Sequence, residues 1–162
     1  MKKLVNVMLL ASATLFSQEA PANRTLKVTI ADETPSIQTG APLQVNVTLT
    51  NISDNEVNVS DAVSNMTGQR NNYLLEVTDG KGNKATKRTF NHEELASWKT
   101  VLRSLKPQES LTDQIDLSRQ YLLNPGTYSI RVVRVVPKES GGGYAVSNPL
   151  TVEVTAPKTE IQ

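Results

Sequence analysis

The segment His92-Glu93-Glu94-Leu95-Ala96 opens like the zinc-protease helix His-Glu-x-x-His, in which two imidazoles four residues apart share one helix face and grip a metal. The fifth position here is Ala96 and the chain has one histidine, so the metal pair cannot form. A Ser-His-Asp triad would have to use that same His92, and no Gly-x-Ser-x-Gly elbow supplies the serine. His92 is therefore read as a surface or helix-start residue. Asp79-Gly80-Lys81-Gly82-Asn83 spaces oxygens and glycines as some calcium loops do, but lacks the further acids and the terminal glutamate of an EF-hand. A hairpin turn accounts for it better. Glu93-Glu94 and Asp32-Glu33 are adjacent pairs expected to face solvent, so no general acid and base are set across a substrate. These patterns predict no enzyme, no cofactor and no metal.

Two non-catalytic chemistries remain. Trp98, the sole tryptophan, could join Tyr73, Tyr121 and Tyr144 in a sugar-stacking platform, or these rings could plug the core; exposure separates the two. Asn23, Asn46, Asn51, Asn58 and Asn65 each begin an Asn-x-Ser/Thr triplet. They are glycan acceptors in a eukaryotic secretory pathway, but the Met-Lys-Lys start looks bacterial, and the triplets then read as part of an Asn/Thr-rich solvent face. With 17 basic and 16 acidic residues interspersed, the net charge is +1. No basic stripe for tracking phosphates is visible, so nucleic acid is not an expected partner.

The elements that must carry any site begin after an export signal. Lys2 and Lys3 precede the apolar run Leu4 to Phe16, which ends in small and polar residues. The run is shorter than the ~20 apolar residues a spanning helix needs, so no permanent membrane anchor is expected. Cleavage after Ser17 keeps the run whole; cleavage after Ala13 is the alternative. The chain thus divides into a signal peptide at 1–17, a linker at 18–25, one domain at 26–155 and a tail at 156–162, in a secreted or periplasmic protein. There is no cysteine, hence no disulfide and no thiol for a lipid anchor. Roughly 145 residues remain after cleavage, enough to bury one core without staples.

Strands follow from alternation. Leu43, Val45, Val47 and Leu49 share a face as strand B, and Leu26, Val28 and Ile30 share one as strand A, with Thr39-Gly40-Ala41-Pro42 turning between them. The polar stretch Asn51 to Asn72 is read as a long B–C loop with a short strand at Glu56 to Val59. Tyr73 to Thr78 is strand C, and Ala85 to Phe90 returns from the hairpin. A one-turn helix is placed near 92–96 and a short strand at Val101-Leu102. Strand E carries Leu111, Ile115 and Leu117 on one parity, with Asp113 intruding on it. Strand F runs Tyr128 to Val136, with Tyr128, Ile130 and Val132 inward. Val133 and Val135 fall on the other parity, which predicts a bulge near Val132 or a strand covered on both faces. Strand G is Tyr144 to Thr155. Seven to eight short antiparallel strands predict an all-β immunoglobulin-like sandwich.

The residues Leu123, Pro125, Gly126, Thr127 and Tyr128 resemble the approach to strand F in fibronectin type III and related immunoglobulin-like domains. Together with Thr50-Asn51-Ile52-Ser53-Asp54 at the end of strand B, the pattern is similar to sandwich domains of secreted bacterial proteins. The resemblance covers Leu26 to Thr155. It implies a tyrosine corner, in which the Tyr128 hydroxyl ties back to upstream backbone. It also implies that the B–C loop and the glycine-rich F–G loop, Pro137 to Gly143, meet at one end. A rigid scaffold presenting two irregular loops is a common protein-binding face. The expected contact residues are Arg70, Asn71, Asn72, Lys138 and Tyr144. Two alternatives stand beside this exported binding module. One is a protease inhibitor that wedges the same loops into a cleft, although Asn65-Met66-Thr67-Gly68 and Pro137-Lys138-Glu139 match chagasin-like segments poorly. The other is a carbohydrate-binding accessory domain built on Trp98.

Overall fold

A computed structural model gives the structure of residues 24–32, 36–64, 72–89 and 98–157. The predicted signal peptide, His92 with its helix, and the triplets at Asn23 and Asn65 lie outside these described residues. Strands β1 (Leu26–Asp32), β2 (Ser36–Gln38), β3 (Gln44–Asn51), β4 (Val57–Ser64) and β5 (Leu74–Asp79) come first. Next come β6 (Thr86–Lys87), β7 (Trp98–Leu105), β8 (Ser110–Asp116), the single turn α1 (Leu117–Gln120) and β9 (Tyr121–Leu122). The chain closes with β10 (Gly126–Val135), β11 (Tyr144–Val146) and β12 (Leu150–Thr155).

One sheet is β1-β3-β8, antiparallel throughout, which are strands A, B and E. The other is built around β10, strand F. It has β5, strand C, on one edge, and β12 then β11, the two halves of strand G, on the other. The short β2 adds to β12 in parallel. The alternating residues Val28, Ile30, Val45, Val47, Leu49 and Ile115 of the first sheet form one core with Val77, Tyr128, Ile130, Val132, Val152 and Val154 of the second. Each fully buried aliphatic side chain contributes on the order of 1.5–3 kcal/mol, so period-two alternation selects the register as well as the strand. The result is an immunoglobulin-like β-sandwich.

Side chains finish the corners. The Tyr128 hydroxyl donates to the Asn124 carbonyl and accepts from the Asn124 N–H, both at 3.0 Å, which is the predicted tyrosine corner. Strand G breaks at Asn148-Pro149, and the freed Asn148 amide bonds both the N–H and the carbonyl of Ile30 at 3.1 Å. A side chain thereby satisfies backbone groups on the outer edge of β1, where an unpaired row would otherwise invite pairing with another chain. On the open face of β3 and β8, register partners share hydroxyl hydrogen bonds: Thr48 with Thr112 and Thr50 with Ser110.

Several sequence expectations are corrected. The B–C connection contains a full eight-residue strand, β4, which pairs with the equally long β7 from Val57↔Leu105 to Ser64↔Trp98. This ribbon prolongs the β3–β8 pair past Asn51. There the fully buried Asn51 side chain donates to Asn55 O at 2.7 Å and Leu105 O at 2.9 Å, and accepts from the Ser53 N–H at 3.0 Å. A glycan on Asn51 is incompatible with that burial. The return strand after the hairpin shrinks to β6, which pairs with β9. Strand E stops at Asp116, whose carboxylate caps α1 by accepting from the Ser118 N–H at 3.0 Å, and Leu117 enters the core from the helical turn. Strand F has no bulge at Val132: its register with β5 is continuous from Tyr128 to Val133, and the inward parity continues to the buried Arg134. The irregularity lies in strand G instead, because Pro149 has no N–H to give.

Candidate functional site

The outer face of the β5-β10-β11/β12 sheet is divided in two along its strands. Toward the start of β10 it is polar, with rows Thr78–Ser129–Thr151 and Glu76–Arg131. Toward the end of β10 it turns apolar, with Leu74–Val133–Val146 in one cross-strand row and Val135–Tyr144 in the next. Leu74, Val135, Tyr144 and Val146 are 51 to 59% exposed. Isolated exposed apolar residues are ordinary on protein surfaces, whereas a contiguous patch of several marks a contact site.

The patch adjoins the F–G turn. Pro137 to Gly143 is a built turn: Lys138–Ser140 forms one 3-10 turn, and Ser140, Gly141 and Gly142 donate back to Pro137 and Lys138 carbonyls. Gly141, Gly142 and Gly143 all have positive φ, which side-chain-bearing residues adopt only with strain. The triple glycine is thus needed by the turn geometry. Lys138 stands exposed on it, and Tyr144 leaves it as the first residue of β11.

Beneath the patch lies a buried ionic network. Arg134 points inward between Val133 and Val135; its Nη2 donates to Ser60 O at 2.8 Å and pairs with Asp61 at 3.1 Å. Asp61 also pairs with Arg103 of β7 and accepts from the Asn72 amide at 2.8 Å. Arg103 lies 3.9 Å from Asp113, which accepts from the Tyr73 hydroxyl at 3.0 Å. The Arg134 guanidinium sits 5.3 Å from the centre of the Tyr73 ring. Two arginines thus balance two aspartates. Burial, then the Asp113 charge, pushes the Tyr73 hydroxyl well above the ordinary tyrosine range. The network fastens the ribbon to β8 and β10 and holds rigid the part of β10 that carries Val133 and Val135. Asp113, which broke the apolar parity of strand E, is explained by it.

Of the five expected contact residues, Lys138 and Tyr144 come together at the patch. Asn72 stands two residues before Leu74 but directs its amide into the network, donating to Asp61 and accepting from the Ala62 N–H. Arg70 and Asn71 lie outside the described residues, as does the Trp98 side chain. Tyr73 and Tyr121 are buried, so the proposed aromatic platform lacks two of its four rings. Sequence reading missed Leu74, Val133, Val135 and Val146; the signal was the run of valines on the outward parity of strand F, flanking Arg134.

Other candidate chemistry is occupied internally. Both Asp79 carboxylate oxygens are used within the hairpin, accepting from the Lys81 and Asn83 N–H groups and from the Asn83 amide. These bonds, the Asn83 amide foremost, hold Asp79 below the usual carboxylate range. Among the described residues no cluster of three His, Cys, Asp or Glu side chains could hold a metal.

No protein-family model matches the sequence, and no curated protein matches it. Among solved structures the chain is similar to a CARDB domain from Pyrococcus furiosus in complex with di-metal ions, at 14% identity and TM-score 0.48, over 82% of this chain and 94% of that one. It is also similar to sporulation control protein Spo0M from Bacillus subtilis, at 12% identity and TM-score 0.44, over 82% of this chain and 50% of that one. A β-glucosidase from Listeria innocua matches at 15% identity and TM-score 0.44, over 80% of this chain but 16% of its own. The architecture itself rests on the strand pairing described above.

Proposed function

We propose that this chain is an exported, non-catalytic binding module that holds an apolar surface of a protein partner against the outer face of β5, β10 and β11, beside the F–G turn. The divided outer face carries this reading: apolar side chains aligned on three neighbouring strands, with Leu74, Val135, Tyr144 and Val146 more than half exposed around the partly buried Val133, beside an ordered turn that offers Lys138 and Tyr144. Removing such a patch from water is the main driving force of association, and an exposed tyrosine such as Tyr144 is a typical anchor. The apolar run Leu4 to Phe16 behind Lys2 and Lys3 supports export.

The experiment is proximity labelling in the native host, comparing the wild type with Val135→Glu and Tyr144→Glu. Both side chains point away from the core, so folding should be retained and is checked by thermal unfolding. The expected outcome is loss of the same labelled partner from both variants and retention in Arg131→Glu, on the polar half of the face. Labelling that is identical in all four proteins would refute the patch as the contact site.

A further inference from the structure

At the opposite end of β10 from the F–G turn, a cavity of about 180 Å³ opens between the Thr39–Ala41 turn and the segment Ser118–Asn124. A cavity of about 150 Å³ holds one benzene ring, so there is room for a single ring or a branched aliphatic group. The apolar part of its lining comes from Ile37, Leu122 and Leu123, whereas Tyr121 and Val154, 3% and 2% exposed, offer almost no surface to it. Among the described residues the one charged side chain in the lining is that of Arg88, and no acid lines the space.

Arg88 is held in place by its own backbone and by one nitrogen of its fork. Its N–H donates to Gln120 O at 2.8 Å, and its Nε donates to Ser118 O at 2.9 Å and Tyr121 O at 3.3 Å. The two Nη groups make no hydrogen bond to the described residues, leaving the planar pair that bidentate carboxylate recognition uses. The hydroxyls nearby are engaged: Thr39 Oγ1 donates to Thr155 O, Ser118 Oγ to Asp116, and the Tyr121 hydroxyl to Leu75 O. Lys87 Nζ lies 6.0 Å from the centre of the Tyr121 ring and is not part of the lining. Among the described residues the space therefore offers apolar side chains, a cationic fork anchored through Nε and no competing anion.

We propose that this cavity binds a small monocarboxylate with an apolar body of about one ring, its carboxylate on the Arg88 Nη pair and its body against Ile37, Leu122 and Leu123. The same chemistry could be presented by a free acid or by the C-terminal carboxylate of a peptide ending in an apolar residue. This site is remote from the partner-binding face, so either reading can fail without the other.

The test uses the full chain and follows backbone amide shifts by NMR during titration with benzoate, with benzamide as the uncharged isostere. Benzoate should give saturable shifts at Gly40, Leu122 and Asn124 with a dissociation constant of about 1 mM, and benzamide should bind at least tenfold more weakly. Arg88→Gln should remove that difference, and Leu123→Trp, which fills the space, should abolish both titrations. A phenylalanine-terminated tripeptide, as free acid and as amide, separates the two sources: shifts at the same amides from the free acid alone assign the peptide terminus, and their absence assigns the free acid. The proposal is overturned by a non-saturating benzoate response at about 20 mM, by benzamide binding equal to benzoate, or by Arg88→Gln binding benzoate as the wild type does.

Discussion

Asp61 holds together groups that would be costly to leave apart. Its two carboxylate oxygens face Arg134, Arg103 and the Asn72 amide, and it is almost fully buried. A buried ion pair adds little net stability compared with apolar residues of the same shape, but removing one partner strands the other charge, at about 3–5 kcal/mol. Asp61→Asn keeps the shape but removes the carboxylate that Arg134 pairs with and leaves Arg103 only Asp113 at 3.9 Å, so we expect a loss of that size in urea denaturation. Arg134→Met in the same background should recover part of the loss, since the second change removes a charge that the first left unpaired. Additive effects across this double-mutant cycle would show that the two side chains are not coupled as drawn. This part of the molecule was hidden in the sequence for the same reason. An aspartate on the inward parity of β4, an arginine on that of β10 and Asp113 on that of β8 each look like a break in a strand, and only their meeting in three dimensions neutralises them.

The ribbon β4–β7 shows where alternation stops being informative. Strands A, B and F were legible because apolar side chains hold one parity for three or more turns of the pleat. In β4 the apolar parity lasts only through Val57 and Val59 before Asp61 takes over, and the strand reads as polar loop. What makes the ribbon is the junction at Asn51. One amide reaches the carbonyls of Asn55 and Leu105, before β4 and at the end of β7, so both ribbon strands are tied to the end of β3. Asn51→Ala removes these bonds and leaves the buried Leu105 carbonyl unmet, which should lower stability by about 3 kcal/mol. The loss is local in origin, so amide hydrogen exchange should quicken at Val57 and Val59 before it does at Val47 or Ile130. Uniform acceleration across both sheets would instead mean that the junction belongs to the global core.

At the scale of the whole molecule, two buried phenols join elements that the backbone alone does not pair. Tyr73, just before β5, reaches Asp113 in the opposite sheet, and Tyr121 of β9 donates to the Leu75 carbonyl in β5 at 2.9 Å. Their rings were legible as aromatic residues, but not as fasteners, because the acceptors come from remote segments. Burial is the leading cause that raises both hydroxyls above the ordinary tyrosine value of 10.0, with Asp113 adding to it for Tyr73 and Glu76 for Tyr121. The unfolded chain therefore releases these protons first as pH rises, and it binds fewer protons than the folded state above about pH 10. The stabilisation is complete below the unfolded value and is lost as pH climbs from there toward the folded value. Urea midpoints should be level between about pH 7 and pH 9 and should fall between about pH 10 and pH 12. Tyr73→Phe should start lower at neutral pH, because the bond to Asp113 is gone, yet fall with a shallower slope, because one proton no longer discriminates between the two states. Parallel slopes for the wild type and Tyr73→Phe would mean that the phenol titrates alike in both states, and the closure of the sandwich would have to be assigned to the aliphatic layers alone.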